Sequence, residues 1–279
     1  MDDSAKITDM EPAKLEEMRE QNPWMPRWPF RMNVIGGSGT GKTNVVMNMI
    51  MKYWINFDTF ILCAGDIEEP KYEQLKEWCE ATAEDRQEAI DDYAHKMKLR
   101  RKPDSSIPKP PLPFRFLFTN AIDALPPIAA WEHEIEDKSE VMGDNNKPLH
   151  LRQHPEGRRT LILIDDMINE KYQGPVSKLF TQGRKKNITT IYIAQSYFAI
   201  PSMIRTNTTH FLIFGGLGTK NVKDMSRGMS TGLDADDFLA LYRFVTQKSA
   251  TSDSNPFLYI DINGKRKFRL NFDSVLVLE

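Results

Sequence analysis

The sequence predicts an α/β domain of three layers, with a mainly parallel central sheet, helices on both faces and a β-hairpin at the C-terminal end. Three observations predict it. Apolar strand candidates alternate with helical stretches from Phe30 to Gly216. A glycine-rich stretch stands where the first strand gives way to the first helix. Asn263-Gly264, the strongest short hairpin signal, separates two alternating runs, Phe257 to Ile262 and Lys267 to Phe272.

The glycine-rich stretch is Gly36-Gly37-Ser38-Gly39-Thr40-Gly41-Lys42-Thr43 and fits G-x-x-x-x-G-K-[ST], the phosphate-binding P-loop. Phe30 to Ile35 reads as the strand before it. Asn44 to Trp54 contains no Gly or Pro and spaces Val45, Val46, Met49 and Ile50 near a helical period. Glycines let backbone N–H groups curl around a phosphate with no Cβ in the way, and the helix that follows points its positive end at the anion. Lys42 can reach the β- and γ-phosphates of ATP, and the Thr43 hydroxyl can ligate Mg²⁺. The competing reading, a Gly/Ser turn that happens to end in Lys-Thr, does not account for the strand and helix on either side.

With 279 residues, 40% of them hydrophobic and 27% charged, the chain has the length and composition of a water-soluble globular protein with a sizeable core. No apolar run approaches the roughly 20 residues that span a bilayer. The start, Met1-Asp2-Asp3-Ser4, is acidic and lacks the apolar core of a secretory signal, so an intracellular, non-secreted protein is expected. Two cysteines, Cys63 in an apolar run and Cys79, make no zinc signature. A formal net charge of −2 gives no global attraction to nucleic acid, so any DNA contact must come from local basic patches.

Residues 1–29 read as an N-terminal arm and 30–279 as the ATPase domain. Prolines at 23, 26 and 29 favour an extended approach to the first strand. Trp24 and Trp28 either cover the sheet or stack on an adenine. Asp58 to Gly65 is a second buried strand, residues 66–102 read as a polar helix, and Phe114 to Phe118 reads as a strand. Residues 120–157 are the least readable and suggest an insertion or lid. His150 and His154 stand four apart, but no third ligand is evident and Pro155 follows at once.

Thr160-Leu161-Ile162-Leu163-Ile164-Asp165-Asp166 is the second strong signal: an apolar run, as in a buried parallel strand, ending in paired carboxylates. In this Walker B pattern Asp165 would hold the Mg²⁺ and Asp166 would polarise the attacking water. Pro175 to Lys185 reads as a helix with Pro in its first turn. Asn187 to Ser196 is a β-branched strand that closes on the polar Gln195. A further strand spans Thr209 to Gly216, and Asp234 to Gln247 reads as an amphipathic helix presenting Phe238, Leu239, Tyr242 and Val245.

Taken in order, Gly36 to Thr43, Leu161 to Asp166, Gly183-Arg184, and Ala194-Gln195-Ser196 followed by Arg205 resemble the genome-packaging ATPases of the FtsK–HerA superfamily, found in large double-stranded DNA viruses, virophages and Polinton-like elements. The resemblance covers most of residues 30–216. It implies a RecA-like P-loop NTPase of the additional-strand type, with the strand of Gln195 between those of the P-loop and Asp165, and Gln195 as the sensor of the γ-phosphate. It also implies a ring, pentamer or hexamer, around double-stranded DNA, with Arg184 and Arg205 as candidates to reach a neighbour's nucleotide. A capsid or portal-vertex protein would be a partner, and the host cytoplasm (the viral factory) and the virion would be the locations. Two departures stand out: many relatives carry Glu where this chain has Asp166, which leaves Glu170 as an alternative base, and the family's Gly-Arg is often followed by His, here Lys185.

The expected activity is therefore ATP hydrolysis coupled to sequence-independent translocation of double-stranded DNA. The local basic patches for it are Lys220, Lys223 and Arg227, and the hairpin tip Lys265 to Lys267. The alternatives are a P-loop kinase acting on a small molecule, which would need an acceptor pocket and an Arg-rich lid, and a nucleotide-dependent assembly switch without motor activity.

Overall fold

The structure, a computed structural model, describes residues 24–98, 110–126, 140–142, 148–150, 158–167, 172–247, 255–264 and 267–277. Its backbone is a nine-stranded sheet. The first strand, β1 (Arg31–Ile35), enters the P-loop and passes into helix α1 (Lys42–Met51). Strand β2 (Thr59–Ala64) leads to the long helix α2 (Pro70–Lys98), and β3 (Arg115–Thr119) follows. A separate two-stranded ribbon, β4 (Glu140–Met142) with β5 (Pro148–His150), is all that is described within the stretch that reads as an insertion or lid beyond residue 126.

Strand β6 (Thr160–Asp165) carries the paired carboxylates at its end. Helix α3 (Gly174–Gln182) closes sooner than expected, because Gly183 to Lys186 tightens into a 3₁₀ turn before Asn187 takes a left-handed conformation at φ 58°. The chain then runs through β7 (Ile188–Ala194), α4 (Ser202–Asn207), β8 (His210–Phe214), α5 (Thr219–Gly228), α6 (Ala235–Gln247), β9 (Phe257–Asp261), β10 (Phe268–Leu270) and β11 (Ser274–Val275).

The sheet order is β11-β10-β9-β8-β1-β7-β6-β2-β3. From β8 to β3 the strands are parallel, and β9, β10 and β11 add an antiparallel edge. The expected hairpin is β9–β10, extended by the two-residue β11. Strand β7 lies between β1 and β6, as expected for the additional-strand type. Strands β2, β6 and β7 are buried along their whole length, which is why β2 and β6 read as apolar runs and β7 as a β-branched one, with no alternation.

Two cores form, one on each face. Helices α1 and α2 cover Met32, Val34, Phe60, Leu62, Leu161 and Leu163. Helices α3 to α6 cover Ile35, Ile162, Ile164, Phe211 and Ile213. Cys63 and Cys79 are buried in opposite cores. Helix α2 packs only its first half, through Tyr72, Leu75, Cys79 and Thr82, which recur at a helical period. Among the described residues no helix is long and apolar enough to cross a membrane.

Candidate functional site

The site is built at the carboxyl ends of the central strands, where a parallel α/β sheet opens a crevice. The P-loop must turn sharply between β1 and α1, and its glycines do this in two ways. Gly39 and Gly41 take φ of 71° and 82°, values that residues with a Cβ rarely adopt. Gly36 is needed for closeness: a Cβ there would stand 2.5 Å from Cβ of Phe214 on β8. Helix α1 begins with no side-chain cap and no acid in its first turn, so its N–H groups face the loop without a built-in anion.

Lys42 is buried, and its Nζ donates to the carbonyls of Gly36 at 2.9 Å and Gly37 at 2.6 Å. Burial lowers its pKa, while the charges of Asp165 and Asp166 oppose that shift. Thr43 Oγ1 donates to Asp165 Oδ2 at 2.9 Å. Asp165 itself is 5% exposed. Burial raises its pKa, against the hydrogen bonds it accepts from Tyr72 and Thr43 and the charge of Lys71.

Asp166 is different in every respect. It is exposed, its backbone is left-handed at φ 54°, and its Oδ2 accepts a hydrogen bond from Gln195 Nε2 at 3.2 Å. The left-handed turn swings the second carboxylate away from the strand's buried side; Asp is among the residues that tolerate it best.

Lys42, Thr43, Asp165, Asp166 and Gln195 border one cavity of about 470 Å³ with Ser38 and Gly39. The other P-loop residues, Gly36, Gly37, Thr40 and Gly41, shape the loop: Gly37 N donates to Gly215 O at 3.0 Å and Thr40 Oγ1 to Gly37 O at 2.8 Å. The oxygens of Thr43 and Asp165, adjacent and hard, are a donor set suited to Mg²⁺.

Sequence reasoning missed two neighbours. Tyr72 Oη donates to Asp165 Oδ2 at 2.6 Å, and Lys71 Nζ lies 4.0 Å from the same oxygen while paired with Glu69 at 2.7 Å. Burial is the first cause that pushes the Tyr72 phenol well above its ordinary value, followed by Asp165, so it stays a donor. The available signal was position: α2 starts just past the carboxyl end of a strand, where catalytic groups collect.

Neither Arg184 nor Arg205 borders this cavity. Arg184 sits in the 3₁₀ turn before β7, at the opposite, amino-terminal edge of the strands. Arg205, on α4, lies over the rings of Tyr197 at 4.7 Å and Phe198 at 5.4 Å. The tryptophans take the first of their two roles. Trp28 Nε1 donates to Asn187 Oδ1 at 2.8 Å just before β7, and both Trp24 and Trp28 pack on the core beside α1, so they cover the sheet at the end away from the P-loop. Glu170, His154, Lys265 and Arg266 lie outside the described residues.

The basic patch on α5 is partly neutralised: Lys223 pairs with Asp236, and Arg227 with Asp224 at 2.8 Å. In the hairpin, Lys267 Nζ donates to the carbonyls of Ser230 and Thr231 at 2.9 and 2.8 Å.

A P-loop with a Walker B pair and a polar residue closing the strand between them defines a P-loop NTPase of the additional-strand type. Residues 129–260 match the family described as the Poxvirus A32 protein. The matched stretch begins after the P-loop and takes in Asp165, Asp166, Arg184, Gln195 and Arg205. No curated protein matches the chain. Among solved structures, the genome packaging NTPase B204 of Sulfolobus turreted icosahedral virus 2 with ATP-gammaS aligns at 11% identity and TM-score 0.46, over 92% of this chain and 100% of that one. VirB4 of Thermoanaerobacter pseudethanolicus aligns at 11% identity and TM-score 0.44, over 91% and 92%.

Proposed function

We propose that this chain is an ATPase that drives double-stranded DNA, packaging a viral genome into a preformed capsid in the cytoplasm of the host. The observation that carries the catalytic part is the convergence of Lys42, Thr43, Asp165, Asp166 and Gln195 on one cavity at the end of β1, β6 and β7.

In this reading the P-loop backbone and Lys42 bind the β- and γ-phosphates of ATP. Thr43 and Asp165 would hold Mg²⁺, which when bound would neutralise charge on those phosphates. Asp166, exposed to the cavity and steadied by Gln195, orients the attacking water and takes its proton. Gln195 bridges to the γ-phosphate and reports its loss to β7. Tyr72 holds Asp165 in place.

A site of this kind is completed by an arginine from a second copy. Both candidates lie outside their own chain's cavity, which suits action in trans within a ring of five or six. Mixing Lys42→Ala with Arg184→Ala subunits, and separately with Arg205→Ala subunits, tests this. If one arginine acts across the interface, mixed rings regain activity through interfaces where both groups are intact. No recovery with either, in rings shown to exchange subunits, rejects it.

The motor reading is tested by the ATPase rate with and without double-stranded DNA. A motor is stimulated by duplex of any sequence. A small-molecule kinase ignores DNA and consumes ATP only with an acceptor, and an assembly switch binds ATP with negligible turnover; either result overturns the reading.

A further inference from the structure

At the amino-terminal edge of the sheet, opposite the P-loop, a second cleft of about 730 Å³ opens between the approach to β1, the turn before β7 and the β9–β10 hairpin. Arg27, Arg31, Arg184 and Arg269 border it, facing one carboxylate, Asp261. That carboxylate is already engaged: Oδ1 lies 3.5 Å from His210 Nε2 and accepts the backbone N–H of Asn263 at 3.1 Å.

Among the described residues none of the four arginines pairs with a carboxylate. Arg31 spends one Nη on the Phe180 carbonyl at 2.9 Å. Arg269 spends one Nη on the carbonyls of Trp24 and Phe272 at 3.2 and 3.1 Å, and its Nε is buried without a hydrogen-bond partner. Burial, and then the nearby charge of Arg184, hold the Arg31 guanidinium below its ordinary value. Guanidiniums stay charged, repel one another, and match phosphate oxygens two at a time. On α5, by contrast, Lys223 and Arg227 already pair with carboxylates of this chain.

We infer that this cleft is a phosphate-binding site separate from the P-loop, and that its occupant is the sugar-phosphate backbone of duplex DNA. Four guanidiniums from three segments of the chain line an open cleft, which suits a row of phosphates better than one. No base-edge reader is needed for such binding, and it carries no sequence preference. The choice of DNA rests on the motor reading; the affinity for phosphate does not.

The test is fluorescence anisotropy with a labelled mixed-sequence duplex of about 30 base pairs, across a salt series, on wild type, Arg27→Gln/Arg31→Gln and the exposed-site single variant Arg27→Glu. Arg184 is left in place because it is a candidate for the ATPase site. The double variant lacks two of the guanidiniums that would neutralise phosphates. Its affinity falls at least about tenfold near 100 mM salt, and the slope of log K against log salt flattens by about two. Arg27→Glu, which removes no internal hydrogen bond, flattens it by about one. The DNA-free ATPase rate and the melting temperature of Arg27→Glu stay at the wild-type values. Unchanged affinity and slope in a wild type that does bind DNA overturn the inference, as does a variant that loses only self-association. If wild type binds no DNA, the motor reading falls instead. The cleft is then judged by calorimetry with inorganic pyrophosphate in the Lys42→Ala background: binding abolished by Arg27→Gln/Arg31→Gln supports a phosphate site filled by free nucleotides, and no binding overturns it.

Discussion

The two ends of the sheet have opposite electrical characters. At the carboxyl ends of the strands, Asp165 and Asp166 stand beside Lys42, with Lys71 on the rim. At the amino ends, four arginines surround one carboxylate that is occupied elsewhere. The first arrangement is rich in acceptors and fits a hydrated divalent cation with its nucleotide. The second is rich in donors and fits bare anions. The contrast shows how one sheet separates the two: the carboxyl ends of the parallel strands collect the candidate catalytic groups, and the opposite end collects cations from distant segments. If the contrast is functional, changes at the first end affect turnover and changes at the second affect association.

The largest expected effect is at Lys42. Lys42→Ala removes the cation that closes the loop on its own carbonyls and that would face the phosphates, so ATP hydrolysis falls by about three orders of magnitude while circular dichroism stays native. Asp166→Asn comes next: nucleotide binding is kept and single-turnover hydrolysis slows by about a hundredfold, because the carboxylate is needed only where water loses its proton. Normal hydrolysis in Asp166→Asn, with hydrolysis lost in Glu170→Gln, assigns the base to Glu170 and breaks the pairing of exposed base with buried metal ligand.

Most of the first end was legible in the sequence and little of the second. The P-loop, the Asp165 strand and the Gln195 strand are each specified within a dozen residues, and buried parallel strands announce themselves as unbroken apolar runs. The topology that places β7 between β1 and β6 came from resemblance, not from spacing. The Tyr72 hydroxyl and Asp165 are 93 positions apart, and Arg31 and Arg269 border one cleft only because β8 and β9 carry the chain back beside β1. Such neighbours leave no local period to read. Helix α4 has six residues, too few for a period, and the dense polar stretch of α5 reads in the sequence as a patch, not as a helix. Trp28 illustrates the ambiguity of composition: an aromatic close in sequence to a P-loop stands at the other end of the strand that leads to it.

Tyr72→Phe probes how far Asp165 depends on its second donor. The hydroxyl is 2.6 Å from Oδ2, and Thr43 shares that oxygen. Removing it leaves Asp165 with one good neutral donor, loosens its rotamer, and lets its proton affinity rise further. Hydrolysis at saturating ATP falls by about tenfold, and the Mg²⁺ concentration for half-maximal rate rises by a similar factor. An unchanged Mg²⁺ requirement removes Tyr72 from the site and leaves it as a packing residue of α2.

The smallest effect concerns stability. Burial raises the Asp165 pKa from its ordinary 3.8, so the folded chain holds that proton more tightly than the unfolded chain does. In the absence of metal, the fold therefore loses stability as pH climbs from the ordinary value through the raised one, and it carries the full cost of a buried charge above it. Asp165→Asn keeps an oxygen to accept from Thr43 and Tyr72 but has no charge to bury. In EDTA at pH 7.5 the variant is more stable than wild type by roughly 1 kcal/mol, within the usual range of a stabilising substitution, and melts about 3 °C higher. The gain shrinks as pH falls toward the ordinary carboxylate value, where wild-type Asp165 is also neutral. ATP hydrolysis is lost in the same variant. A variant that melts lower than wild type at pH 7.5 would mean that the hydrogen bonds of Thr43 and Tyr72 outweigh the cost of burial. The carboxylate would then be a stabilising group of the fold, and its end of the sheet would differ from the arginine end only in sign.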